Sequence, residues 1–212
     1  MGTDRIPEIE EHVRSYLDSA NRAREAGLSA SRKAIRLSAN AIRAVHRGEW
    51  ANAEQLIEEA RSVLSEAVTG GVAEHPEVRH AGFLSDAEKE LAEAQLTYGL
   101  VAKGELPSFV DVGVGPVEFL GGLAETVGEL RRHLLDILRA GDMGRAEAVL
   151  GQMDEIYDLL ASIDYPDAMT RGLRSRTDAA RAIIERSRSD LTMTAIQHEL
   201  VSSLERQNGA AD

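Results

Sequence analysis

The stretch Val117-Glu118-Phe119-Leu120-Gly121-Gly122-Leu123-Ala124-Glu125-Thr126-Val127-Gly128-Glu129-Leu130-Arg131-Arg132 decides the fold. Its apolar residues recur three and four apart. Continued to Leu134 and Leu138, they form one stripe with Phe119, Leu120, Leu123, Val127 and Leu130, which predicts an amphipathic α-helix over 117–139, ended by Gly141. Glu125 and Glu129 stand on neighbouring turns of that helix, on the face away from the stripe, together with Gly121 and Gly128. An acidic face with glycines calls for a cover: another helix, a groove wall or another subunit. Absent side chains permit such close approach.

The helical period continues in both directions. Toward the N-terminus it predicts helices over 7–47, bent near Gly27 and ended by Gly48, and over 50–68, closed by Gly70-Gly71. A third helix is expected over 85–103, with Ser85 as N-cap and Glu88 completing a capping box. Residues 72–80, which include Pro76, read as a loop in which His75 and His80 are solvent exposed. Beyond Gly141, helices are expected over 143–162, 168–187 and 191–207, with Pro166 dividing the first two. About seven helices with short connections make an all-α antiparallel bundle. A single domain over 1–207 and a disordered tail over 208–212 complete the expectation.

Composition narrows the chemistry. At 212 residues, 43% apolar and 28% charged, the chain reads as a soluble globular protein. It has no apolar run near the roughly 18 residues of a membrane span and no signal-peptide pattern at its start, so a cytoplasmic location without membrane association is expected. The absence of cysteine excludes disulfides, thiolate metal sites and cysteine nucleophiles, leaving oxygen and imidazole ligands and hence hard cations. Walker loops, dinucleotide fingerprints, zinc-finger spacings and nucleophile elbows are missing.

The formal charge of -12 argues against nucleic acid until its distribution is considered. Residues 21–47 carry seven basic side chains against one acid, whereas residues 48–129 carry four basic against sixteen acidic. On the first helix, Arg32, Arg36, Arg43 and Arg47 share a narrow stripe with Ser29 and Asn40, opposite Ala34, Leu37, Ala41 and Val45. Such a stripe can be a solvated face whose arginines pair with acids of neighbouring helices. The scarcity of intrahelical acid partners, and the choice of arginine, suit phosphate contacts instead. His46 adjoins the stripe and reads as structural.

On the helix over 85–103, Glu90 and Glu93 flank the apolar stripe of Leu84, Ala87, Leu91, Ala94, Tyr98 and Val101. Spacing alone leaves Glu90, Glu93, Glu125 and Glu129 open to two readings: surface charge, or carboxylates converging on a cation. The Glu-x-x-His pattern of di-iron bundles does not occur at His12 or His133. Magnesium suits oxygen ligands that leave room for water and substrate phosphate.

Residues 114–132 followed by Gly141-Asp142, with Arg32 through Arg47, the Glu90-x-x-Glu93 helix and the C-terminal helices around Tyr157 and Arg174, resemble the translin and translin-associated factor X (TRAX) family, particularly its archaeal members. That resemblance implies about seven helices, closed octamer-like homo-oligomeric shells and single-stranded RNA or DNA bound inside them. TRAX-like subunits of the family are magnesium-dependent endoribonucleases, whereas translin subunits bind nucleic acid without the catalytic acids. By motif, the catalytic and metal-site acids fall on Glu90, Glu93, Glu125 and Glu129, and Glu125 stands where the catalytic subunits carry aspartate. The chain is accordingly expected to be a TRAX-like endoribonuclease acting on single-stranded RNA, with Arg32, Arg36, Arg43 and Arg47 along the RNA backbone. A non-catalytic shell binding single-stranded RNA or DNA is the alternative, and an all-α nucleotide pyrophosphatase a more remote one.

Overall fold

The computed structural model describes residues 5–209. These form α1 (Ile6–His46), α2 (Trp50–Thr69), α3 (Pro76–Arg79), α4 (Phe83–Tyr98), α5 (Phe109–Val112), α6 (Pro116–Arg139), α7 (Met143–Ser162), α8 (Asp167–Thr170) and α9 (Leu173–Gly209). A 3-10 turn at Gly71–Glu74 and a π-helical turn at Gly99–Lys103 are the remaining helical elements, and there are no strands among the described residues. Six of the helices are long and build the bundle. The other three are single turns in connections.

Two apolar clusters hold the bundle together. In the first, Ala34, Leu37, Ala41 and Ile42 of α1 meet Ile57, Ala60 and Leu64 of α2 and Leu84, Ala87 and Leu91 of α4. The second gathers Leu123, Val127, Leu130 and Leu134 of α6 with Val149, Met153 and Ile156 of α7 and Ala180, Ile184 and Leu191 of α9. The stripe anticipated over 117–139 is thus the spine of this second cluster. The two clusters meet where α4 crosses α6, and a glycine decides how closely. A Cβ on Gly122 would stand 2.8 Å from the Ala92 Cβ and the Glu93 backbone nitrogen and 2.9 Å from the Lys89 carbonyl oxygen, so only glycine admits this approach.

Several boundaries differ from expectation for identifiable reasons. The helix expected at Ser85 begins two residues earlier: Gly82 precedes it at φ 94°, Ser85 is buried, and Glu88 accepts a hydrogen bond from Arg79 at 2.7 Å rather than capping. Residues 71–79 are largely helical, not a loop. His75 is buried there, hydrogen-bonded to Ser19 at 3.0 Å and packed edge-on against Tyr16, whereas His80 is exposed as expected. The helices expected over 168–187 and 191–207 are one helix, α9. Its central polar residues do not break it because Arg131 of α6 donates to Ser187 and Asp190 at 3.0 and 2.7 Å, and Arg188 pairs with Asp154 of α7 at 2.8 Å. The interruption falls earlier, where Arg171 and Gly172 both adopt positive φ. α9 extends through Asn208 and Gly209, and residues 210–212 of the expected tail lie outside the described residues. No helix among the described residues is long and apolar enough to cross a membrane.

Candidate metal centre and nucleic-acid interface

The crossing of α4 and α6 brings three of the four expected carboxylates together. Glu90 and Glu93 of α4 and Glu125 of α6 each offer an oxygen within 4.8 Å of the others, and all three are half-buried. The cover required for the acidic face of α6 is therefore supplied by the same chain. Helix α4 packs beside Glu125, and the C-terminal end of α1 reaches Glu129, which leaves the Glu125 and Glu129 side chains 33% and 26% exposed.

Glu129 stands apart from the triad and is held differently. The His46 Nε2 donates to its carboxylate at 2.5 Å, and the imidazole is buried while its Nδ1 has no partner among the described residues. His46 was expected to be structural, and it proves to be the link between the arginine-bearing helix and the acids. No spacing rule pairs a residue on one helix with another 83 positions away.

Two cations that motif reasoning did not assign also enter the site. Lys89 donates to Glu90 at 2.9 Å and to Glu125, and Arg176 of α9 lies 3.5 Å from the other Glu125 oxygen. Burial opposes the Lys89 ammonium, and the hydrogen bonds it donates to Glu125 and Glu90 more than reverse that, raising its pKa. The available signal was Lys89 itself, the one basic residue in the acidic run 81–102.

Glu93 has no ion pair among the described residues. Its burial, and then the charges of Glu90, Glu125 and Glu129, push its carboxyl up to about 8, although Lys89 acts in the opposite direction. Glu93 therefore keeps its proton near neutral pH while no cation neutralises it. Three convergent carboxylates, with no sulfur among them, could hold a hard divalent cation.

The arginine stripe is as exposed as its period predicts. Arg32, Arg36, Arg43 and Arg47 all face solvent, and among the described residues only Arg47 has a carboxylate partner, Glu49 at 2.6 Å. Arg43 donates to Asn40, also on the stripe, at 2.5 Å. Trp50, immediately beyond the end of the stripe, is exposed.

The solved structure of AfC3PO matches with a TM-score of 0.81 and 34% identity, covering 88% of this chain and 97% of that one. The chain belongs to the translin/TRAX-type C3PO family. A second structure, AfC3PO in complex with duplex RNA, matches with the same score and identity over 88% of this chain and 96% of its own. Apo-NeC3PO shares the C3PO fold at a TM-score of 0.78 and 18% identity, over 87% of this chain and 96% of that one. In sequence, an uncharacterized protein of Methanocaldococcus jannaschii is 28% identical over 187 residues, spanning 87% of this chain and 81% of the relative. No protein-family model matches the chain.

Proposed function

We propose that this C3PO-family chain is a magnesium-dependent endoribonuclease of the TRAX type acting on single-stranded RNA. The observation that carries the proposal is the convergence of Glu90, Glu93 and Glu125 at the α4–α6 crossing, with Glu129 held one turn further along α6 by His46. Glu90, Glu93 and Glu125 would hold the ion, and Glu129 would contribute directly or through water. Bound magnesium supplies positive charge for the scissile phosphate and for the attacking water. The glutamates would hold that charge at the α4–α6 crossing.

Arg32, Arg36, Arg43 and Arg47 neutralise phosphates along the backbone without reading bases, so sequence preference is weak. Trp50 offers an aromatic face to an unpaired base beside them. The duplex RNA bound by AfC3PO supports RNA as the polymer, and cleavage of single-stranded and duplex RNA of one sequence, compared with magnesium and with chelator, separates the two forms. Faster cleavage of the duplex would overturn the preference for single strands.

Assembly into a closed homo-oligomer, with an octamer as the proposed number, is supported by two exposed apolar stripes at helical spacing. One is Ile6, Ile9, Val13 and Leu17 on α1, and the other is Met193, Ile196, Leu200 and Leu204 on α9. A solution mass near eight times the 23.0 kDa of one chain is expected, and a monomer would contradict the proposal. The non-catalytic reading, with the same shell binding single-stranded RNA or DNA, draws on Lys89, whose ammonium already bridges two of the acids. It predicts RNA retention without products. The cytoplasm is the proposed location.

A further inference from the structure

Lys89 differs from a surface lysine in its route. Its stem runs across Gly121, where a Cβ would come within 3.1 Å of the Lys89 Cγ and 3.2 Å of its Cδ, so a glycine keeps the passage open. The ammonium at the end of that passage bridges α4 and α6, donating to Glu90 at 2.9 Å and to Glu125, with the side chain 15% exposed. Glu90 and Glu125 are two of the three carboxylates that converge, so a metal ion held by all three would compete with Lys89 for those two. An ammonium and a divalent ion carry like charge and draw on the same two carboxylates, so each weakens the hold of the other.

We infer that Lys89 is the resident counter-ion of the acidic crossing and that a divalent cation binds there by displacing it. The inference rests on the proposed metal site. It has two consequences. Without metal, the ammonium holds together helices whose facing carboxylates would otherwise repel one another across the crossing. With metal, part of the binding energy goes to expelling the ammonium, so the ion is held more weakly than three convergent carboxylates would hold it unaided.

Manganese uptake followed by electron paramagnetic resonance, on the full-length protein, tests the exchange. Lys89→Met keeps most of the stem and removes the charge, and it should bind Mn²⁺ about tenfold or more tightly than the unaltered protein, because a competing unit charge has left the site. Lys89→Arg keeps the charge and should stay within about threefold of the unaltered protein. Equal or weaker binding by Lys89→Met would overturn the inference. Folding of that variant is followed by circular dichroism in parallel: instability in chelator that Mn²⁺ relieves supports the exchange, and instability that Mn²⁺ does not relieve contradicts it. Absence of Mn²⁺ binding in all three proteins overturns the metal site together with the inference, whereas binding with one common affinity overturns the inference alone.

Discussion

His46 and Glu129 form a hydrogen bond of 2.5 Å that ties the last turn of α1 to the middle of α6. The imidazole is 2% exposed and the carboxylate 26%, so the bond is sheltered from water. It couples the helix carrying the arginines to the helix carrying the acids. Removing His46 as His46→Ala leaves Glu129 part-buried without its donor and should lower the unfolding free energy by about 1–3 kcal/mol, read from urea midpoints. An unchanged midpoint would mean that the bond does not hold the two helices together.

Two glycines of α6 should respond oppositely to alanine. Gly122→Ala drives a methyl against α4 backbone at 2.8–2.9 Å and should cost about 1–3 kcal/mol or more by forcing the helices apart. Gly128→Ala meets nothing within 4 Å among the described residues and should stabilise the helix by up to about 1 kcal/mol. Thermal melts of the two variants check this. Similar behaviour of both would deny that Gly122 sets the α4–α6 distance.

Glu93 makes the metal-free protein sensitive to alkali. Its carboxyl is pushed up to about 8 from an ordinary 4.5 by burial and then by Glu90, Glu125 and Glu129. The folded state therefore holds a proton that the unfolded chain has released between those values. This contribution to stability is complete below about pH 4.5 and is lost as pH rises through about 8. In chelator, the melting temperature should fall between about pH 4.5 and pH 8, and fall less in Glu93→Gln, which has no carboxyl to ionise. Excess magnesium should flatten the difference, since the ion binds the deprotonated form. Identical pH profiles for both proteins in chelator would remove Glu93 as the cause.

The arginines should act through salt. Single substitutions Arg32→Ala, Arg36→Ala and Arg43→Ala should each weaken single-stranded RNA binding and reduce the slope of log affinity against log salt by roughly 0.7, the value for one phosphate contact. Fluorescence anisotropy across a salt series measures both quantities. Loss of affinity with an unchanged slope would place the arginine outside the phosphate track.

The parts of this molecule that could be read in advance are those governed by periodicity. The stripe from Phe119 to Leu138, the exposed face from Arg32 to Arg47 and the helix over 143–162 all follow from residues three and four apart, and the structure shows each of them. The break expected between 187 and 191 does not occur: the helix runs on through Ser187 and Asp190, which both accept hydrogen bonds from Arg131 of α6. His75 misled for a related reason, since its burial depends on Tyr16 and Ser19 of a distant segment. At the candidate site, Glu90, Glu93 and Glu125 could be named from motif. Their shared point of convergence, with Lys89 between two of them and His46 on Glu129, depends on how closely α4 approaches α6, which is a property of packing at Gly122.

Cleavage of labelled single-stranded RNA by the purified protein, with magnesium and with chelator, decides whether these glutamates form a nuclease site when the unaltered chain is run beside Glu129→Gln and Glu125→Gln. Magnesium-dependent products from the unaltered chain are expected, with a rate loss of about 100-fold or more in each variant and RNA binding retained. Cleavage that survives chelator, or that proceeds undiminished in both variants, would contradict the assignment of these glutamates to a metal-dependent nuclease site.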